Sequence, residues 1–184
     1  MLSSITRIAA CLFFCGMLLA AEGPGVWLDV PFVPQERNAC GAASLAMVIE
    51  YWEKQQKKPP STDAKGIERV LYSREAHGIY ASAMKQYLQQ HGFRAFAFEG
   101  EWKDLKEHLE KWRPLIVALS VGHHDLHYVV IAGIDWHQEV VLKNDPAERK
   151  LLKQDRPSFE KQWKAAGRWT LLAVPQQGDL ASSP

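Results

Sequence analysis

Residues 35–52 have the sequence QERNACGAASLAMVIEYW, which carries the clearest helical signal in the 184-residue chain. Asn38 is of a residue type that favours the N-cap position, and an apolar pattern begins directly after it. This pattern predicts an amphipathic helix over residues 39–53. Its buried stripe is formed by Leu45, Val48, Ile49 and Trp52. Cys40 is therefore expected in the first turn of a helix, where the small Gly41 keeps the surface around the sulfur open.

The composition is that of an ordinary globular domain, with 47% apolar and 23% charged residues. The chain is long enough to form one domain with an apolar core that needs no disulfide bonds. The formal net charge is only +1 and the basic residues are scattered, so the sequence has no electrostatic footprint for nucleic acid. We therefore expect no nucleic-acid partner.

Beyond the first helix, helical spacing gives way to extended runs. Residues 27–34 are interrupted by prolines and predict an edge strand or an extended lead-in. Further helices are predicted at residues 63–73, 80–91, 102–112 and 158–165, and strands at 93–98, 115–121, 127–134, 139–142 and 168–174. We therefore predict one α+β domain over residues 26–175, in which a helical N-terminal half packs on an antiparallel sheet from the C-terminal half. Residues 176–184 are polar and are predicted to form a flexible tail.

The first residues predict a targeting segment that is not part of the fold. Residues 8–21 (IAACLFFCGMLLAA) form an uncharged, largely apolar run. As a helix, this run would rise about 21 Å, short of the roughly 30 Å hydrocarbon core of a bilayer. Residues 1–21 are therefore interpreted as a signal peptide of a secreted or periplasmic protein. An uncleaved membrane anchor is the alternative; after cleavage we expect no stable membrane insertion.

Cleavage would leave Cys40 as the last of three cysteines, because Cys11 and Cys15 lie in the signal segment. A lone thiol in an oxidising compartment is an unreactive buried residue, an intermolecular disulfide partner or a nucleophile. The first turn of a helix favours a thiolate, since unpaired backbone N–H groups and the positive end of the helix dipole stabilise it. Helix position alone leaves open whether Cys40 is a nucleophile or a buried core residue.

A cysteine nucleophile needs a base, and the base needs a group that orients it. His127 begins one predicted strand, and Asp145 follows the next strand after a turn at residues 136–138. Counted outward from that turn, both fall near the same edge of the sheet, so the carboxylate can contact one imidazole nitrogen while the other faces Cys40. Taken singly, they could be a surface histidine and an Asx turn before proline. Gln35 could donate its side-chain amide to a developing oxyanion, or be a solvated loop residue.

A competing hypothesis is a metal site in the cluster His123-His124-Asp125-Leu126-His127. His123 and His127 would share a face of a helix at i and i+4, a spacing that suits zinc. The cluster lies between two apolar strand runs, however, and lacks the glutamate that zinc peptidases carry between such histidines. We therefore predict no metal ion and no organic cofactor, and we interpret residues 123–125 as an exposed loop.

Three blocks together resemble a known family: residues 30–52 (VPFVPQERNACGAASLAMVIEYW), 127–135 (HYVVIAGID) and 144–147 (NDPA). Their order and separations are similar to those of the papain-like bacteriocin-processing peptidases, which act on double-glycine leaders, and of their stand-alone secreted relatives. Since no membrane-spanning or nucleotide-binding segment follows in this sequence, we expect the stand-alone type. The double-glycine specificity of the transporter-linked members is not assumed.

The resemblance implies a papain-like α+β fold and a role for each candidate residue. It implies Cys40 as the nucleophile, His127 as general base and acid, Asp145 as the orienting group and Gln35 in the oxyanion hole. The expected function is that of a secreted cysteine peptidase acting on a peptide or protein substrate. Two alternatives stay open: a non-catalytic peptide-binding module with a papain-like cleft, and an acyl transferase or amidase acting on a non-protein substrate.

Overall fold

The computed structural model describes residues 25–122 and 125–176, which contain five helices and seven strands. In chain order these are β1 (Val26–Trp27), α1 (Cys40–Gln55), α2 (Ala64–Leu71), α3 (Ala81–Gln90), β2 (Phe93–Glu99), α4 (Trp102–Glu110), β3 (Leu115–Val121), β4 (Asp125–Asp135), β5 (Val140–Asn144), β6 (Leu152–Asp155), α5 (Arg156–Ala165) and β7 (Trp169–Pro175).

The strands form one antiparallel sheet in the order β2-β7-β3-β4-β5-β6, and β1 adds a short pairing to β4. The strands β3 to β7 all come from the C-terminal half, whereas α1, α2 and α3 come from the N-terminal half. The predicted α+β class and the predicted antiparallel sheet are therefore confirmed.

Strand β4 lies at the centre of the sheet and is buried continuously from Tyr128 to Ile134. Both α1 and α4 pack against it, which explains why its sequence is apolar without alternation. Helix α1 is itself buried on nearly all sides from Gly41 to Ile49. The indole of Trp52 completes the contact by donating a hydrogen bond to the Ala173 carbonyl of β7 at 3.0 Å.

Two local expectations differ from the structure. The residue at the N-cap of α1 is Ala39, and no side chain caps this helix. The reason is a backbone turn in which Ala39 N–H donates to the Glu36 carbonyl. The predicted cap, Asn38, therefore precedes the N-cap position by one residue, and its side chain is exposed. Strand β6 was not predicted, because the sequence Leu152–Asp155 is mostly polar and forms a strand only by pairing with β5.

Strand β4 contains a bulge that shifts its pairing register with β5. Near the turn, Ile134 pairs with Val141, but beyond the bulge Ile131 pairs with Lys143, so Ala132 is an extra residue. Its carbonyl accepts a hydrogen bond from Leu28 N–H at 2.7 Å, which anchors the lead-in segment to β4.

Several predictions concern residues outside the described part of the chain. They are the signal peptide at 1–21 with Cys11 and Cys15, the loop residues His123 and His124, and the tail beyond residue 176. The domain limits 26–175 also stay a prediction. Among the described residues, no helix is long and apolar enough to cross a membrane.

Candidate active site

Cys40 is the first residue of α1 and lies, partly buried, in the wall of a cleft of about 610 Å³. The cleft runs between the N-terminal end of α1, a loop before α3 and the start of β4. Its lining consists of Gln35, Asn38, Cys40, residues 76–81, Val121 and residues 125–128. The thiol is thus at a helix N-terminus and open to a ligand in the cleft.

The structure brings His127 and Asp145 together beside this thiol. The Nε2 atom of His127 lies 2.7 Å from Oδ1 of Asp145, and both side chains are largely buried, with exposed fractions of 14% and 6%. Cys40 also acts on the same imidazole, because its side chain and its charge raise the pKa of His127. Since Nε2 is engaged by the carboxylate, Nδ1 is the nitrogen that remains for the sulfur.

The bulge in β4 explains why these two side chains meet. Beyond it, Val130 pairs with Asn144, and continuing this register places Asp145 opposite Val129, on the same sheet face as His127. If the register at the turn continued without a bulge, Asp145 would lie opposite Val130 instead. The carboxylate and the imidazole would then point to opposite faces of the sheet.

The two buried groups hold each other in their charged forms. Burial by itself acts to lower the pKa of His127, but its hydrogen bonds to Asp145 and Cys40, together with their charges, raise the pKa to about 9. Burial acts to raise the pKa of Asp145, but the hydrogen bonds and charges of His127 and then of Lys143 lower it to about 2. Between these values the imidazolium and the carboxylate coexist as an ion pair.

Gln35 lines the same cleft, and its main chain is tied to the aspartate loop by a 2.9 Å hydrogen bond from its N–H to the Pro146 carbonyl. Its Nε2 donates to the Arg37 carbonyl at 2.7 Å. Its Oε1 is buried without a hydrogen-bond partner among the described residues. A primary amide has two N–H donors, so one remains for a ligand in the cleft. The role of Gln35 in an oxyanion hole stays a prediction.

Two buried polar residues that the sequence did not single out hold the site together. The Ser44 hydroxyl, one turn after Cys40, donates to the Tyr128 carbonyl at 3.2 Å and so ties α1 to β4 beside His127. The Asn144 amide donates to the carbonyls of Val30 and Pro31, and its oxygen accepts from Leu151 N–H. Both contacts join segments far apart in the chain, so no local pattern reveals them.

The expected role of Gly41 is wrong. This glycine is buried, and a Cβ atom at its position would lie 3.2 Å from Cβ of Ile79 and 3.4 Å from the sulfur of Met84. It therefore permits close packing beneath the thiol and does not open the surface toward a substrate.

The zinc hypothesis requires His127 on a helix, whereas His127 lies in strand β4. Within residues 25–122 and 125–176, no group of three or more His, Cys, Asp or Glu side chains is arranged to hold a metal ion. The other two histidines of the cluster, His123 and His124, lie outside the described residues.

Comparison with family models shows that residues 27–171 match the Peptidase_C39 like family. This match spans most of the chain, and the protein belongs to this family. Membership supports a cysteine peptidase function. A comparison with curated proteins gives no significant match.

Solved structures of C39 peptidases have the same fold. The peptidase domain of Streptococcus ComA, a bifunctional ABC transporter involved in quorum sensing, is 20% identical, with a TM-score of 0.62, covering 78% of this chain and 97% of that one. A putative C39-like peptidase from Bacillus anthracis is 18% identical, with a TM-score of 0.66 and coverages of 83% and 98%. A double glycine motif protease from an AMS/PCAT transporter, solved with its leader peptide, is 23% identical, with a TM-score of 0.64 and coverages of 82% and 95%.

Proposed function

We propose that this protein is a secreted cysteine peptidase in which Cys40, His127 and Asp145 form a catalytic triad and Gln35 supports the oxyanion hole. The observation that carries the proposal is the His127 imidazole, which binds Asp145 through Nε2 and lines the same cleft as Cys40. The side chain and charge of Cys40 also act to raise the pKa of this imidazole. A cysteine nucleophile requires this constellation of base and orienting group.

In the acylation step, the Cys40 thiolate attacks the carbonyl carbon of the peptide bond and forms a carbon–sulfur bond. The carbonyl oxygen becomes an oxyanion, which the backbone N–H of Cys40 and the free amide hydrogen of Gln35 stabilise. The His127 imidazolium donates its proton to the leaving amine as the carbon–nitrogen bond breaks, which leaves a thioester and a neutral imidazole. Asp145 holds the ring so that Nδ1 faces the reacting atoms.

Water completes the cycle. Neutral His127 takes a proton from a water molecule as the water oxygen attacks the thioester carbonyl carbon. The carbon–sulfur bond then breaks, which releases the carboxylic acid product and restores the Cys40 thiolate beside the His127 imidazolium. Every proton in these steps is carried by His127.

The substrate is proposed to be a peptide or an extended segment of a protein. The structural neighbour solved with a leader peptide supports this class of substrate. Secretion, or export to a periplasm, is proposed from the apolar run at residues 8–21.

The test uses the full chain on a library of fluorogenic peptides, with non-peptide amides assayed in parallel. Iodoacetamide is expected to alkylate Cys40 and abolish hydrolysis, and Cys40→Ala is expected to lower kcat/KM by on the order of 10³-fold or more. Cys15→Ala, in the chain that retains residues 1–21, is the control, because it removes a thiol outside the described residues and is expected to leave hydrolysis unchanged. Peptide mapping by mass spectrometry assigns the alkylated cysteine.

Three results would contradict the proposal. Full hydrolysis by Cys40→Ala would exclude this nucleophile, and a biological role that survives the same substitution would favour a binding module. Turnover of non-peptide amides without turnover of peptides would favour an amidase or acyl transferase.

A further inference from the structure

Lys143 is a buried cation at the candidate site. Its ammonium group lies 3.1 Å from Oδ2 of Asp145, the carboxylate oxygen that does not bind His127, and its side chain is only 9% exposed. Lys143 pairs with Ile131 across the strands and precedes Asp145 by two residues, so the two side chains share one face of the sheet. The carboxylate is thus held between the imidazole on one oxygen and the ammonium group on the other.

A lysine in this position needs a physical reason. Lysines are almost never fully buried unless they are paired, because desolvation of the ammonium group costs several kcal/mol. The Oδ1 oxygen of Asp145 already accepts hydrogen bonds from His127 and from Ala147 N–H. Two donors therefore orient the carboxylate without Lys143, and the lysine adds an ion-pair contact to Oδ2 and a positive charge.

We propose that Lys143 is a positioning residue of this site, whose charge offsets part of the negative charge that Asp145 exerts on His127 and whose ammonium group holds the Oδ2 side of the carboxylate by an ion-pair contact. This inference rests on the proposed function, in which His127 must release its proton to the leaving amine. A carboxylate without a counter-cation would hold that proton more tightly and slow its transfer.

A charge role for Lys143 and a purely structural role predict opposite changes in the pKa of His127. Among the described residues, the titratable or charged groups that face the imidazole or line its cleft are Cys40 of α1, His77 and Tyr80 before α3, Asp125 and Tyr128 of β4, and Lys143 and Asp145. Within this set Lys143 is the only lysine or arginine. Removing its charge while Asp145 stays ionised must raise the pKa of His127, whereas a structural loss that moved Asp145 away would lower it.

The test is a titration of the His127 imidazole by NMR in the full chain carrying Cys40→Ala, which removes the coupling to the thiol. Lys143→Gln keeps a hydrogen-bond donor and removes the charge, and it is expected to raise the His127 midpoint by about one pH unit. Lys143→Arg keeps the charge and is expected to leave the midpoint at the parent value. Lys143→Met removes both the donor and the charge, and it is expected to raise the His127 midpoint. This variant provides a second measurement if the glutamine variant does not fold.

An unchanged or lowered midpoint in a folded neutral variant would overturn the proposal, and so would an equal shift in Lys143→Arg. In variants with Cys40 intact, the descending limb of the kcat/KM profile is expected to move upward with the midpoint, and kcat is expected to fall while KM stays constant. The titration does not depend on turnover. If the midpoint shifts as expected while the parent protein hydrolyses no peptide, the charge role of Lys143 holds and the peptidase proposal alone fails.

Discussion

Two clusters of ion pairs in this protein use similar chemical groups in opposite environments. In the site cluster, Asp145 binds His127 and Lys143, with side-chain exposed fractions between 6% and 14%. In the surface cluster, Arg156 binds Glu139 and Glu160, and Arg168 also binds Glu160, with exposed fractions between 23% and 57%. The surface cluster borders an open groove of about 760 Å³ that also includes Trp102.

The difference between the clusters shows how burial converts geometry into electrostatic effect. In both clusters the partner atoms are in direct contact, at 2.7 Å for His127 and Asp145 and at 2.6 Å for Arg156 and Glu139. Solvent screens the exposed pairs, which typically contribute about 0–1 kcal/mol to stability. Removing one partner of a buried pair leaves an uncompensated charge and costs about 3–5 kcal/mol. Similar contact distances should therefore have very different consequences in the two clusters.

The largest effect is expected from Asp145→Asn, which keeps the shape of the side chain and removes its charge. The variant leaves Lys143 without its anion and His127 without its orienting carboxylate. We expect kcat/KM to fall by on the order of 10³-fold and the free energy of unfolding to fall by about 3 kcal/mol. Urea denaturation and peptide hydrolysis measure the two losses. Native stability in this variant would mean that the pair contributes no more than a surface pair.

A stability effect of similar size, without the loss of activity, is expected in the pH dependence of stability. The folded-state pKa of His127 is raised to about 9 from 6.5, so its stabilisation is complete below pH 6.5 and is lost as the pH rises through 9. The folded-state pKa of Asp145 is lowered to about 2 from 3.8, so its stabilisation is present above pH 3.8 and is lost as the pH falls through 2. Urea titrations across this range are expected to show a plateau between these windows. The alkaline decline should be shallower in Asp145→Asn, and an equal decline in both proteins would contradict the assignment to His127.

The smallest effect is expected from Glu139→Gln, which makes the same carboxylate-to-amide change in the surface cluster. Its side chain is 57% exposed and its partner Arg156 keeps a second contact to Glu160. We expect a loss of less than about 1 kcal/mol in unfolding free energy, which added salt should reduce, and no change in peptide hydrolysis. A loss as large as that of Asp145→Asn, or one that persists in 1 M salt, would remove the distinction between the clusters.

Much of the fold follows from patterns within single segments. Helix α1 was predicted over residues 39–53 and is observed at Cys40–Gln55, because the spacing of its apolar residues is a local property of the chain. Strand β3 was predicted at its observed limits, 115–121, because a continuous apolar run is also a local property of the chain. Strand β6 was missed because its polar residues join the sheet through pairing with β5, which no local pattern records.

The candidate site was only partly accessible from the sequence. Its residue types and their order in the chain led to Cys40, His127, Asp145 and Gln35, and all four lie at or beside one cleft. The contributions of Lys143, Ser44 and Asn144 were not predicted. Each acts through a contact with a group that the fold brings near, and a buried lysine in a strand has no distinguishing sequence pattern.

The amino-acid sequence alone determined the helix that begins at Cys40, the two central strands and the antiparallel α+β class, since the helix depends on a periodicity of 3.6 residues and the central strands on continuous apolar runs. Only the tertiary structure decided that His127 and Asp145 share one face of the sheet, because a single extra residue at Ala132 reverses the side-chain parity between β4 and β5. It also decided that the ion pair is buried. Side-chain orientation and solvent exclusion depend on contacts between distant segments, and these exist only once the chain is folded.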